Sequence, residues 1–424
     1  MLQEKLDQRA RAVLKQNDRG DYTVPNGMVY PFQWNWDSAF VSLGFIAMDI
    51  ERAWLELESL ARGQWTDGFV PHIIFWSDDS RYFPGPDVWA THHTPPTSGI
   101  TQPPVAASVL RSLWQRSDPE KYRPRLKKMF LNLFEWHRWF ARVRDPFCQG
   151  IAVIVHPWES GRDNSPEWDE PSSAIDISGI GAYERRDTGQ LNHSMRPTKL
   201  DYDRYLALLQ FGRALNWDHG RIGRESPFRV ADVGTTMMLL RANRDLLALA
   251  RELNLTPQAD DLARDVERAE QGVSWLWDET AGAYCSRDLL TGRSSGILTS
   301  ASWLSFYAGL RHEARDRKLL AHLERVAKRV KYLVPSLDPD DARFEPIRYW
   351  RGPIWAVINY LIGEGLHAAG HTQWGERIRR DTGSLIELHG MYEYFCPLTG
   401  RGVGGDDFSW TAAMWLHWAR SGAE

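Results

Sequence analysis

Apolar side chains recur with a period near 3.6 along most of the chain, and that pattern leaves room for little besides helices. Leu6, Val13 and Leu14 form a stripe on a first helix. Asp37 reads as the N-cap of a second, which carries Ala39, Phe40, Leu43 and Phe45. Further helices are expected near 51–62, 103–115, 119–142, 202–215, 230–253, 257–277, 301–310, 314–330, 353–369, 373–389 and 408–420. Several open on a Pro in the first turn, where its missing N–H costs nothing. About a dozen helices result, many paired through short connections. Strands are expected only in IAVIVHP (151–157) and GAYCSRD (282–288). Strand and helix do not alternate, so a parallel sheet is not indicated, and no fixed repeat marks a solenoid. An irregular bundle and a closed toroid of six helical hairpins, an all-α (α/α)6 barrel, both fit. The segments 64–102, 143–200 and 334–352 are too long to be plain connectors and favour the toroid, with long loops capping a site. No Ser/Gly linker divides the chain, so residues 1–424 read as one domain.

The 424 residues are ample for a large core, and 43% apolar with 25% charged residues is ordinary for a soluble protein. A formal net charge of −4 without a basic run argues against nucleic acid as partner. No stretch approaches the roughly 18 apolar residues of a membrane span, and the charged start MLQEKLDQRARAVLKQND has no signal-peptide core. Cys148, Cys285 and Cys396 are scattered and lack metal spacing, which reads as free thiols in a reducing compartment. The expectation is a cytoplasmic protein acting on a small molecule, with a homo-oligomer left open. No cofactor is expected, and no acidic cluster has the ligand spacing of a cation site.

Tryptophan is the outlier, with 21 in the chain. Flat rings with one polar edge suit the gripping of sugars, although any single Trp serves equally well in a core. They concentrate beside acids and turn residues in YPFQWNWDSAF (30–40), WTDGFVPH (65–72), HPWESGRDNSPEWD (156–169), RYWRGPIWAVINY (348–360) and MYEYFCPLTG (391–400). A carboxylic acid walled by Trp and kept from water holds its proton to higher pH. Asp163, after the flexible Gly161 and between Trp158 and Trp168, fits that description and so fits a general acid. An Asx-turn would explain the same residue. Glu393 lies between Tyr392 and Tyr394, whose hydroxyls could keep it ionised as a general base. Two carboxylates across a sugar are the minimal equipment for glycoside hydrolysis.

Three motifs point elsewhere and are set aside. GRGVGG (400–405) matches a dinucleotide fingerprint but follows no strand of a βαβ unit, and reads as a flexible lid. DPDD (338–341) is like a class II terpene cyclase motif, yet Pro339 and the flanking VPSL make it a turn. His92 and His93 are adjacent, without the i, i+4 spacing of a helical zinc pair.

ESGRDNS (159–165) resembles the acid motif of the inverting (α/α)6-barrel glycosidases, the trehalases and glycoside hydrolase family 63. WNWDSAF, DGFVPH, QPPV, RYWRGPIW, EYFCPLTG and FSWTAAM resemble the family's other signatures in the family's order, across residues 22 to 415. The short length resembles the bacterial mannosylglycerate and glucosylglycerate hydrolases of family 63. The resemblance implies Asp163 as general acid and Glu393 as general base. It also implies a sugar pocket of Tyr30, Trp34, Trp36, Asp37 and Gln102, with Tyr349, Trp350, Arg351 and Trp355 beside it. Arg196, with Tyr202 and Tyr82, resembles the set that this branch uses for the substrate carboxylate. Arg162 departs from the apolar residue or Trp of many relatives, and is expected to alter the wall beside the acid.

The function expected is hydrolysis, with inversion, of mannosylglycerate or glucosylglycerate to sugar and glycerate. An α-glucosidase acting on a small disaccharide-like glucoside and a non-catalytic sugar-binding barrel are the alternatives.

Overall fold

The computed structural model describes residues 2–189 and 191–420. Its barrel helices are α1 (Leu2–Asn17), α2 (Asn35–Ile46), α3 (Ile50–Arg62), α4 (Ala106–Gln115), α5 (Pro119–Val143), α6 (Val233–Glu252), α7 (Thr256–Gly272), α8 (Leu304–Ala308), α9 (Glu313–Ala327), α10 (Ala356–Ala368), α11 (Thr372–His389) and α12 (Ser409–Met414). The even-numbered helices pack each on the next, and α12 closes back on α2, which makes an inner ring of six. The odd-numbered helices lie outside, with α3 against α2, α7 against α6 and α11 against α10. This is an (α/α)6 barrel.

The sequence separates the two rings. An inner helix has neighbours on every side, and α2 is buried from Asn35 through Phe45. An outer helix needs one apolar stripe, and α9 buries only Leu319, Leu323 and Val326, at the i, i+4, i+7 spacing of one face.

Helix ends differ from expectation where other interactions win. Asp37 is not an N-cap: α2 starts at Asn35, so Asp37 lies in its first turn. The helix expected from Val230 starts at Val233, because Val230–Ala231 pairs with Val153–Ile154 and with Arg287–Asp288 in a three-stranded sheet. Asp232 then caps α6, accepting from the Gly234 and Thr235 amides. The 301–310 helix shrinks to α8 because Ser300–Trp303 is a 3-10 turn and Gly309 ends it. Past Met414 the last helix widens into a π-turn, Trp415–Ala419. The two expected strand regions contain Val153–Ile154, Ala283–Tyr284 and Arg287–Asp288. The DPDD turn is tied down by Arg325, which bonds Asp338 and Asp340. GRGVGG is no lid: Gly402–Val403 pairs with Tyr394–Phe395 in a hairpin, and Val403 is buried.

All three long segments reach one end of the barrel. The first pairs Ile73–Ile74 with Gln33–Trp34 at the start of α2 and adds the short helix Pro86–Trp89. The second precedes helix Lys199–Ala214, capped by a reciprocal Thr198–Asp201 box. The third leads into α10.

Candidate active site

These loops and the start of α2 enclose a cavity with about 780 Å³ of space between atoms, including the part open to solvent. Its walls carry Tyr30, Trp34, Trp36, Asp37, Tyr82, Gln102, Asp163, Arg196, Tyr202, Tyr349, Trp350, Trp355 and Glu393. Every residue that the resemblance selects for the site is there except Arg351.

The stretch 156–169 shows how one acid is singled out. Glu159 is buried and bound by Arg144, with Nη2 2.8 Å from Oε1, and by the Val155 amide. Glu167 is bound by Arg162. Asp169 takes both Nη atoms of Arg351, at 2.9 and 2.7 Å. Three acids are thus neutralised by arginines, and Asp163 alone faces the cavity. Gly161 makes the turn that presents it, at φ 66°, and a side chain there would meet the Trp36 ring at 2.5 Å. Tyr205 donates to the Asp163 carbonyl at 2.8 Å. Burial pushes the Asp163 carboxyl up to about 7; Glu393 adds to the rise, while Arg196 and the residue's own amide oppose it.

Glu393 comes from the 394–403 hairpin and is 1% exposed. Burial raises its pKa as well, but it has three counterweights. Arg196 Nη1 lies 3.5 Å from Oε1, the Gly405 amide donates to Oε2 at 3.1 Å, and Tyr30 donates to Oε1 at 2.9 Å. The adjacent tyrosines expected in that role are not used: the Tyr394 hydroxyl donates to the Met195 carbonyl. The neighbouring Gly404 is required, because a Cβ there would sit 2.4 Å from Glu393 Oε2. Asp37 is a third buried carboxyl, raised well above its ordinary value by burial, then by Glu393 and Asp163.

Arg196 is the cation of the cavity. Its Nε lies 3.0 Å from Asp187 Oδ2, and its guanidinium stacks 4.2 Å above the Tyr349 ring. Burial would lower its pKa; Tyr30, Tyr349, Glu393 and Asp187 raise it well above the ordinary arginine value. Asp187 is also gripped by Arg185, at 2.6 Å, and these two guanidinium groups outweigh burial to hold its carboxyl down at about 2. The chain at Arg196 is clamped by Arg348, which donates to its carbonyl at 3.0 Å, and by Arg185, which donates to Pro197 O at 2.6 Å.

Aromatic rings complete the walls. Trp350 and Trp355 stack at 3.9 Å with planes 3° apart, and Trp34 stands edge-on to Tyr30 and Tyr82. Gln102 is held by the Trp36 amide, which donates to its Oε1 at 3.1 Å. Tyr349 has φ 41°, a conformation that costs an ordinary residue about 1–3 kcal/mol. The Trp350 amide bonded to Asn164 and the Trp355 indole bonded to the Tyr349 carbonyl hold it there.

Three residues weighed in the sequence work behind the walls. Arg351 is engaged with Asp169 and the Asn164 carbonyl and does not line the cavity. Trp168 does not wall Asp163: its indole donates to the Arg162 carbonyl at 2.8 Å. Arg162 does not alter that wall either, because its side chain is buried away from the cavity between Glu167 and Asp232. His93 is stacked on Trp65, and among the described residues no group of His, Cys, Asp or Glu could hold a metal ion. The sequence did not single out Asp187, Pro197, Phe83 or the Gly405 amide, and gave no site role to Phe408 or Trp410 of FSWTAAM. Asp187 sits in ERRDTG, outside the five aromatic-rich stretches, and a main-chain donor leaves no mark in a sequence.

Residues 30–411 match the family described as the mannosylglycerate hydrolase MGH1-like glycoside hydrolase domain. The chain is 47% identical to the mannosylglycerate hydrolase of Thermus thermophilus, over 97% of this chain and all of that protein. It is 35% identical to the glucosylglycerate hydrolase of Mycolicibacterium hassiacum, over 97% of this chain and 96% of the relative. The crystal structure of a family 63 mannosylglycerate hydrolase from Thermus thermophilus in complex with Tris and D-glycerate superimposes with a TM-score of 0.94, at 46% identity, covering 97% of this chain and 99% of that one.

Proposed function

Because this chain belongs to the mannosylglycerate hydrolase MGH1-like family of glycoside hydrolases, we propose that it cleaves an α-linked hexose from glycerate, with inversion at the anomeric carbon. The observation that carries this reading is one cavity in which two of the carboxyl groups, Asp163 and Glu393, lie in unlike surroundings. Asp163 retains its proton near neutral pH, and among the described residues no side chain donates to its carboxylate. Glu393 receives an O–H, an N–H and the field of a guanidinium, all of which favour its ionised form.

Water held by Glu393 attacks the anomeric carbon and gives its proton to that carboxylate. Asp163 passes its own proton to the glycosidic oxygen as the bond breaks. Inversion needs the two carboxyl groups about 6.5–9.5 Å apart, leaving room for the water. Trp34, Trp36, Trp350 and Trp355 present faces and edges to the sugar ring, while Asp37 and Gln102 meet its hydroxyls. Arg196 takes the carboxylate of the aglycone in a charge-assisted pair, with Tyr82 and Tyr202 beside it. A buried guanidinium in the cavity favours an anionic substrate over a neutral disaccharide. The three free thiols suit a cytoplasmic setting.

The test is proton NMR of the products formed from mannosylglycerate, glucosylglycerate and neutral disaccharides. The expected result is glycerate release with the β-anomer appearing first. Turnover of neutral disaccharides with both glycerate glycosides inert would overturn the substrate assignment. The α-anomer appearing first would overturn inversion.

A further inference from the structure

Arg162 adjoins the acid in sequence, is 1% exposed, and does not line the cavity. Its guanidinium joins two buried carboxylates, Glu167 and Asp232. Glu167 is bound in turn by Ser286 at 2.7 Å, Ser165 at 3.1 Å and Thr299 at 3.1 Å. Asp232 is the N-cap of α6, accepting from the Thr235 amide at 2.8 Å. Gly234, in the first turn of α6, makes room: a Cβ there would lie 3.1 Å from Arg162 Nε. The Trp168 ring lies 5.2 Å from the guanidinium while its indole N–H holds the Arg162 carbonyl. On the other side of Asp163, Asn164 Oδ1 accepts from the Trp350 amide at 2.8 Å.

We propose that Arg162 is a positioning residue that ties the turn bearing Asp163 to the inner barrel and so fixes where the proton of Asp163 is delivered. The inference rests on the reading of Asp163 as proton donor. A buried arginine matched by two carboxylates could serve stability alone. What marks this one is its place. It is bonded through its side chain to the start of an inner helix and through its carbonyl to Trp168, one residue before a carboxyl that, among the described residues, has no side-chain donor to orient it. Misplacing a catalytic group by about 1 Å can cost about 100-fold.

The test compares leaving groups. Glycerate departs with proton assistance, whereas fluoride needs little. Arg162→Lys and Trp168→Phe are assayed on both glycerate glycosides and on α-mannosyl and α-glucosyl fluoride, with folding checked by thermal melting. The positioning role predicts a loss in kcat/KM on the glycerate glycoside of about 100-fold for Arg162→Lys and about 5-fold for Trp168→Phe, against less than about 3-fold on the fluoride. The alkaline limb of the pH profile moves to lower pH as Asp163 becomes better hydrated. Equal losses on both leaving groups, or no loss in either folded variant, would overturn it. If Arg162→Lys does not fold, Trp168→Phe decides. Asp163→Asn tests the premise separately: a variant that favours the fluoride no more than the native enzyme does would remove the proton-donor reading itself.

Discussion

Two buried arginines flank the proposed catalytic carboxylates, and their settings are opposite. Arg162, behind Asp163, meets two carboxylates that are themselves held by hydroxyls and a helix start. Arg196, beside Glu393, is bonded to Asp187 through Nε, stacks on Tyr349, has Nη1 3.5 Å from Glu393 Oε1 without a hydrogen-bond partner among the described residues, and lines the cavity. A buried charge is expensive unless matched. Where both Nη atoms meet buried carboxylates the arginine is scaffold. Where one Nη lacks a hydrogen-bond partner, as at Arg196, the proposed function has the substrate carboxylate complete the match.

The difference can be broken experimentally, beginning with the largest effect. Glu393→Gln removes the base while leaving Arg196 its Asp187 partner, so kcat should fall by about 1,000-fold or more with the melting temperature little changed. Arg162→Met should destabilise by about 3–5 kcal/mol, because Glu167 and Asp232 lose their shared cation; denaturant titration reads this directly. Arg196→Met should spare folding more and raise KM for the glycerate glycoside by about 10–100-fold, the worth of a charge-assisted pair, without a similar loss on a glycosyl fluoride. If Arg162→Met and Arg196→Met affected stability equally, the distinction between scaffold and binding arginine would fail.

Titration sharpens the same contrast. The acid must be protonated and the base ionised, so kcat/KM should fall above pH about 7 as Asp163 ionises. It should also fall at the acid end, at a pH above the ordinary glutamate value, as Glu393 takes up a proton. The smallest effect is on stability. A carboxyl whose folded pKa is raised contributes stability that is present below its unfolded pKa and lost as pH rises toward the folded one. For Asp163 that window runs from the ordinary Asp range to about 7. Asp163→Asn should therefore gain on the native protein by up to about 2 kcal/mol between pH 5 and pH 8, measured by paired denaturant titrations.

Helix number and type were legible because apolar period survives in both rings. Helix ends were not, because at Val230 a strand pairing and at Ser300 a 3-10 turn displaced the simpler reading. The site was legible wherever an acid lies beside aromatics, as at Asp163 and Glu393. Misreadings came from assuming that sequence neighbours are spatial partners. Trp168 braces the backbone from behind rather than walling Asp163, and the hydroxyl on Glu393 comes from Tyr30, 363 residues away, rather than from Tyr392 or Tyr394. Asp187 was hidden because its two arginines are recognisable as partners only after the chain has folded.

The amide that steadies Glu393 belongs to Gly405, and the space before it is kept by Gly404. No codon change can delete a main-chain N–H short of introducing proline, so one third of the base's support lies beyond the reach of ordinary substitution. Under the proposed mechanism, lineages that shift the working pH are left with two handles, the phenol of Tyr30 and the guanidinium of Arg196, and the second of these is also the group proposed to hold the substrate.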